Sequence, residues 1–379
     1  MHAVDAVPEA ARRIIGLLAS LAVLGLLPST PASADEPRLT LPPGFQIQVF
    51  AAGLGAARFM ALDPTGTVLV SVPSEGRILA LPDRDGDGRA DAIVTVASDL
   101  DLPHGLVVRP GHLYVAETGR VLRFRYDPTR LGLSDATVIV PNLPPGAHHW
   151  SRTIALDAKG SLYVAVGSSC DVCREQDHRR AAIVRYNADG SGERLVARGL
   201  RNPVGLAFHP ATGALWTTVN ERDWPSGGAP PDYLTEVKEG AFYGWPDCFV
   251  SGRKAMPDPE LHGGQRCAGV TLPTLEIPPH SAPLGLTFYT GTRFPRAYRG
   301  SLFVAYHGSR PGLLPPAGYK VVRVTFERGR PAGVEDFVTG WREGDHVRGR
   351  PVDLLQSADG ALLISDDHAG RIYRVTFRP

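Results

Sequence analysis

The chain has 379 residues, 43% of them hydrophobic, and 40 Lys and Arg nearly balance 39 Asp and Glu for a net charge of +1. That balance gives no polybasic surface for nucleic acid or for an anionic membrane, so neither partner is expected. Gly (42) and Pro (34) are scattered as turn punctuation and form no low-complexity tract, which suits many short connections.

The N-terminus reads as a secretory signal over residues 1–34. Arg12 and Arg13 precede an apolar run at 14–27, and Pro31-Ala32-Ser33-Ala34 supplies an A-x-A cleavage pattern. The run falls short of the roughly 20 apolar residues that a membrane span needs, so the mature chain is expected to have none. Residues 35–379 then form one periplasmic or secreted domain with ample length for a large core. An oxidising compartment makes two disulfides the default, and proximity pairs Cys170 with Cys173 and Cys248 with Cys267.

From residue 59 onward one pattern recurs: a few apolar residues, a polar turn with Gly, then a run rich in Leu, Tyr and Val. It appears as "FMALDPTGTVLVSV", "HGLVVRPGHLYVAE", "TIALDAKGSLYVAV", "VGLAFHPATGALWTTV", "LGLTFY…RGSLFVAY" and "VDLLQSADGALLISD". Basic–apolar strands such as "GRVLRFRY" and "YKVVRVTF" usually follow. Helical periodicity is nearly absent, and turn signals recur at strand spacing. Repeats of about 45 to 65 residues with some four strands each are propeller blades. The sequence therefore predicts an all-β fold: a six-bladed β-propeller with four-stranded antiparallel blades.

The innermost strand of a blade lines the central channel, so the residues leading into it face one mouth. Taken in order these are Arg58, His104, His148 with His149, Arg201 with Asn202, His280 with Ser281, and Arg350. Every slot holds an Arg or a His, and none holds an acid. A cup of converging cations suits a planar polyanion, because guanidinium groups pair with carboxylates through two hydrogen bonds.

Three further stretches carry chemistry. "DRDGDGRAD" sets Asp83, Asp85, Asp87 and Asp91 at calcium-loop spacing, although Val94 replaces the closing Glu; a structural Ca²⁺ on an outer loop is expected. Cys170-Asp171-Val172-Cys173 is read as a structural disulfide, since Arg174 follows where a haem-attachment motif needs His. Asp366-Asp367-His368 is read as a hydrogen-bonding turn. No G-x-S-x-G and no G-x-G-x-x-G supports a serine hydrolase or a nicotinamide enzyme.

"GLRNPVGLAF", "HHWSRTIALDAKGSLYVAVGSSCDVC", "NERD…PPDYLTEVKEGAFYGWPDC" and "SDDHAGRIYRV" resemble the soluble quinoprotein sugar dehydrogenases, in particular the sorbosone dehydrogenase-like branch, over essentially the whole mature chain. The resemblance implies pyrroloquinoline quinone (PQQ) and Ca²⁺ as cofactors and an aldose or sugar-derived aldehyde as substrate. It implies His149 as the base and the Arg201–Asn202 pair on the quinone oxygens. Arg350 is implied as a cofactor-binding arginine, and Arg58 and His104 join that set as members of the cup. It further implies backbone ligands for Ca²⁺ from the loop 220–223, Arg222 and Asp223 included. Two positions depart from the glucose-oxidising members: His148 stands in place of Asp, and "AYHGSRPG" lacks a cofactor lysine, with His307 or Arg310 as possible substitutes. Electrons are expected to leave to a separate periplasmic carrier. A calcium-dependent lactonase and a non-catalytic binding scaffold are the alternatives; the missing acids in the cup count against the first.

Overall fold

In a computed structural model of the chain, the described residues are 37–379 apart from 147, 224–227, 262–266 and 314. The signal-peptide reading lies outside them. Six sheets follow the six repeats in order. The first blade is Met60–Leu62, Val68–Val72, Arg77–Leu81 and Val94–Ala97. The second runs from Leu106–Arg109 to Gly132–Val140, and the third from Arg152–Leu156 to Arg194–Arg198, with Ala241–Phe242 added in parallel. The fourth comprises Asn202–Phe208, Leu215–Asn220, Asp232–Glu236 and Leu275–Ile277. The fifth spans Pro283–Phe288 to Arg330–Val338. The sixth takes three strands from the C-terminus and its outer strand, Phe45–Ala52, from the N-terminus. Phe45 faces Phe377 in that antiparallel pairing, which closes the ring.

Stacking of blades explains the sequence pattern. The second strand of a blade, such as Val68–Val72 or Leu302–Tyr306, is buried along its whole length because another blade covers each face. It therefore reads as a continuous apolar run. The outermost strand, as in Gly132–Val140, is mostly exposed and alternates poorly. Six apolar clusters fill the six blade interfaces. One joins Ile154, Leu162 and Val164 of the third blade to Ala116 and Val121 of the second, and another joins Leu363 and Ile372 of the sixth to Val68 and Val70 of the first. A seventh cluster, Phe59, Val204, Leu284 and Val352, gathers the innermost strands of four blades on the central axis. Each fully buried side chain of this kind contributes about 1.5–3 kcal/mol.

The innermost strands of blades four, five and six share one local device. Each begins at or beside a proline (Pro203, Pro283, Pro351), which needs no ladder partner at a strand start. A register shift follows in each, between Pro203 and Leu206, Pro283 and Leu286, and Pro351 and Leu354. Such bulges bend the strand and re-aim the side chains before it. Arg201 and Arg350 precede two of these prolines, and so are delivered to the channel mouth, whereas Ser281 before the third faces a separate pocket with Pro278 and Gly318.

Candidate active site

A cavity of about 430 Å³ opens at that mouth, just above the axial apolar cluster. His148 and His149 reach it from the start of the third blade, Arg201 and Asn202 from the fourth, His280 from the fifth and Arg350 from the sixth. His307 and Arg310 line it as well.

The His149 ring has a defined tautomer. Its Nδ1 lies 3.0 Å from the Ser168 carbonyl and 2.9 Å from Ser168 Oγ. Ser168 Oγ spends its own proton on the Cys170 carbonyl at 2.7 Å, so both groups facing Nδ1 are acceptors. Nδ1 therefore carries the hydrogen, and Nε2 keeps a lone pair. Burial, the Arg201 guanidinium and the neighbouring His148 hold the imidazole pKa well below its usual range, so the ring is neutral. Gly167 makes this approach possible. A Cβ there would sit 2.5 Å from both His149 Cβ and Asn202 Oδ1.

Arg201 is 2% exposed and engaged on every nitrogen. Nε donates to the Asp171 carbonyl at 3.0 Å and NH2 to Asp171 Oδ1 at 2.7 Å. NH1 donates to the carbonyls of Glu221 at 2.7 Å and Asn220 at 3.2 Å. One NH2 hydrogen is left for a ligand. Arg350 is held by backbone alone: Nε donates to the His307 carbonyl at 3.2 Å, and NH2 to those of Gly308 and Ser309. Its NH1 has no partner among the described residues.

Arg58 lies behind this wall, over the Trp150 ring, and pairs with Asp367. His307 Nε2 donates to the same carboxylate at 2.9 Å. Burial pushes His307 down to about 4, against the raising pull of Asp367, and the ring is neutral at physiological pH. Asp367 is thus a hub between two candidate ligands and departs from the plain turn expected of it. Asp366 does form the turn, accepting from the amides of Arg350, His368 and Ala369.

The cup is not one-signed, which corrects the sequence reading. Glu221, Asp223 and Asp232 line the cavity, and Asp171 stands directly behind Arg201. These acids come from strand ends and loops, which the survey of strand-leading slots did not sample. Asp232 accepts the Glu221 amide at 2.8 Å and the Ala282 amide at 2.9 Å. Those bonds tie down a stretch where His280 and Ala282 both take positive φ, at 62° and 50°. Non-glycine residues in that region cost about 1–3 kcal/mol each and persist where surrounding bonds hold them. Burial raises Asp232 to about 7 and Glu221 to about 8. Asp223 faces Arg310 at 3.2 Å and His280 at 3.6 Å.

Other expected residues fall elsewhere. His104 is fully buried, stacked on Phe59 at 4.2 Å and edge-on to Trp150, and does not line the cavity. The Arg222 side chain turns into Asp258, Asp171 and Glu260, so only its backbone oxygen could serve a cation. Both disulfides form as paired. In the outer loop the carboxylates of Asp83, Asp85 and Asp87 come within 4.8 Å of one another, whereas Asp91 instead accepts the Arg84 amide. The side-chain roles not assigned from the sequence are those of Asp171, Trp150, Glu221, Asp232 and Asp367; Glu221 was read only as part of the loop 220–223, and Asp367 only as part of a hydrogen-bonding turn. Asp171 had one signal, its place inside the C-x-x-C.

Polar atoms left without a partner mark where a ligand fits. Among the described residues that line the cavity, the buried side-chain atoms without a hydrogen-bond partner are Asn202 Oδ1, Glu221 Oε2 and both ring nitrogens of His280, all on residues at most 8% exposed. Groups so buried cost free energy unless a ligand or water satisfies them.

A profile of the TrAA12-like family matches residues 39–225 and 228–378. The pyrroloquinoline quinone-dependent pyranose dehydrogenase of Coprinopsis cinerea is 28% identical over 410 residues, a match covering 90% of this chain. It covers 55% of that protein, so the chain spans about half the length of this relative. The chain is similar in structure to the holo PQQ domain of the Coprinopsis cinerea pyranose dehydrogenase, with TM-score 0.76, 24% identity and coverage of 90% and 98% of the two chains. It is also similar to the calcium structure of the Trichoderma reesei family AA12 enzyme, with TM-score 0.80, 21% identity and coverage of 92% and 100%. These structural likenesses bear on the fold.

Proposed function

The chain belongs to the TrAA12-like family, and from that premise we propose an exported PQQ- and Ca²⁺-dependent dehydrogenase that oxidises an aldose or a sugar-derived aldehyde such as a sorbosone. The supporting observation is the His149 ring: neutral, with its proton committed to Ser168 and its Nε2 lone pair left beside the Arg201–Asn202 pair.

The cavity fits the quinone in its donor set. Arg350 NH1 and the remaining Arg201 hydrogen offer hydrogen bonds to a planar, carboxylate-bearing ligand, and the unpartnered Asn202 Oδ1 can accept one from a ligand N–H or O–H. Neutral His307 completes that wall, and Asp367 ties it to Arg58 behind. Bound there, PQQ supplies the acceptor for the hydride that leaves the oxidised carbon. His149 Nε2 takes the proton of the sugar hydroxyl, as a general base with a lone pair at physiological pH. Arg201, its charge only partly offset by Asp171, stabilises negative charge that develops near Asn202. The oxygen-rich loop 220–223 would hold Ca²⁺ through the backbone of Arg222 and Asp223, in keeping with that ion's preference for oxygen ligands. Electrons leave to a separate periplasmic carrier. Among the described residues no helix is long and apolar enough to cross a membrane.

Glu221, Asp223 and Asp232 also supply the carboxylates that a channel lactonase would use. One experiment separates the two. The apoprotein is titrated with PQQ in the presence of Ca²⁺ by calorimetry and absorbance, then given a panel of aldoses with an artificial electron acceptor. Stoichiometric binding and sugar-dependent reduction support the dehydrogenase. Absence of PQQ uptake, with hydrolysis of a sugar lactone, overturns it.

A further inference from the structure

Two arginines, Arg201 and Arg222, leave the fourth blade almost wholly buried, at 2% and 4% exposure. Cations so placed repel one another and need close carboxylates. Asp171 meets both. Its Oδ1 accepts from Arg201 NH2 at 2.7 Å and from the Asp223 amide at 3.3 Å. Its Oδ2 accepts from Arg222 Nε and NH2, both at 3.2 Å. Its carbonyl accepts from Arg201 Nε and from the Trp245 indole, each at 3.0 Å. The dependence is lopsided. Arg222 also holds Asp258 and Glu260 at 2.6 Å, whereas Asp171 is the one carboxylate paired with Arg201 among the described residues.

Asp171 sits within the four-residue ring closed by Cys170–Cys173. The same ring presents the Cys170 carbonyl to Ser168 Oγ at 2.7 Å, and that bond makes the serine an acceptor for His149 Nδ1. Beside it, Ser169 donates through N and Oγ to Glu175 at 2.5 and 2.8 Å, which closes the loop on itself. One small covalent ring on the third blade therefore sets two things at once: where the Arg201 charge lies and which nitrogen of His149 bears the proton.

We propose that Asp171 is a positioning residue for the reaction at this cavity, and that the Cys170–Cys173 ring is the clasp through which Arg201 and His149 are held in register. The proposal rests on the dehydrogenase reading for its kinetic arm but not for its spectroscopic arm. The C-x-x-C pair is then neither a redox centre nor a metal ligand. Its closed form holds a backbone carbonyl to Ser168 and a carboxylate to Arg201.

The test compares the whole protein with Asp171→Asn, with the double variant Cys170→Ser/Cys173→Ser, and with Asp177→Asn, which loses a surface pair to Arg179. With PQQ and Ca²⁺, Asp171→Asn is expected to lower kcat by about 10- to 100-fold, the usual cost of removing a group that orients a ligand-binding side chain, with KM for sugar nearly unchanged. Asp177→Asn leaves both unchanged. In the apoprotein, ¹⁵N NMR is expected to show one His149 tautomer in the native chain and a mixture in the double serine variant. The Arg201 NH2 proton bonded to Asp171 Oδ1 is expected to exchange slowly in the native chain and fast in Asp171→Asn. A folded Asp171→Asn with native kcat, or an unchanged His149 tautomer in the double variant, overturns the clasp. If Asp171→Asn does not fold, the double variant and its tautomer decide. If the native chain oxidises no aldose, the dehydrogenase reading fails while the two NMR comparisons still judge the clasp.

Discussion

His149 and Ser168 lie nineteen residues apart in sequence and 2.9 Å apart between Nδ1 and Oγ. Because the serine hydroxyl already donates to Cys170, this contact leaves His149 Nε2 as the basic atom of the site. His149→Ala is expected to bind PQQ as the native chain does and to lose about 100- to 10,000-fold in kcat, the range that a general base supplies. Calorimetry and steady-state kinetics on one preparation check both halves. A variant that keeps native turnover removes His149 from the chemistry.

The pH profile follows from the depressed His149 pKa. A group whose folded pKa lies below its ordinary value of 6.5 stays neutral further into acid, so the active form is lost only as pH falls through the depressed value. The acid limb of kcat/KM is expected below pH 6.5. A limb at or above the ordinary value contradicts the burial argument.

Asp353 gives a separate test of stability. It is 7% exposed, accepts the Met60 amide at 2.8 Å, and burial pushes its pKa up to about 7. The folded chain then holds a proton that the unfolded chain releases near 3.8. Stability from this group is present below that value and is lost as pH rises through about 7. The melting temperature of Asp353→Asn, taken relative to the native chain, is expected to climb between pH 5 and pH 8. A difference that stays flat with pH places a charged Asp353 in the folded state.

Ring closure depends on Phe45, whose side chain meets Phe294 and Tyr298 at 4.9 Å and Phe337 and Phe377 at 5.0 Å. Phe45→Ala is expected to cost about 3–5 kcal/mol of stability, seen as a shifted denaturant midpoint. Ile93→Ala, at a position 49% exposed, is expected to stay within about 0.5 kcal/mol. Equal effects from the two would deny the N-terminal strand its role.

Gly167→Ala places a methyl group between His149 and Asn202. Turnover is expected to fall at least tenfold, since displacements of about 1 Å at a site can cost 100-fold, and the overpacking is expected to cost about 1–3 kcal/mol of stability. A native rate in this variant shows that the two side chains tolerate a wider spacing.

The blades were legible because stacking imposes a repeated demand on local sequence. "SLYVAV" and "SLFVAY" must be apolar on both faces wherever a blade has neighbours, whatever the register. The Phe45–Ala52 closure carries no such mark, since nothing in "FQIQVFAA" names the C-terminal strand as its partner. At the site, the slot argument's Arg201, Asn202 and Arg350 line the cavity, where a proline and a bulge act on the residues just before them, and His149 lines it from a blade without that device. His104, which the same argument put in the cup, is buried under Phe59 and Trp150.

What sequence alone determined is the part of this protein that repeats: the six blades, the cations leading into them and the cysteines close enough to pair. Tertiary structure decided the sign and the protonation of the cup. Asp171 reaches Arg201 across 30 positions and Asp367 reaches Arg58 across 309, and no periodicity encodes such meetings. A hydrogen bond is set by distance in space, and closing a ring of blades makes distant strand ends near neighbours.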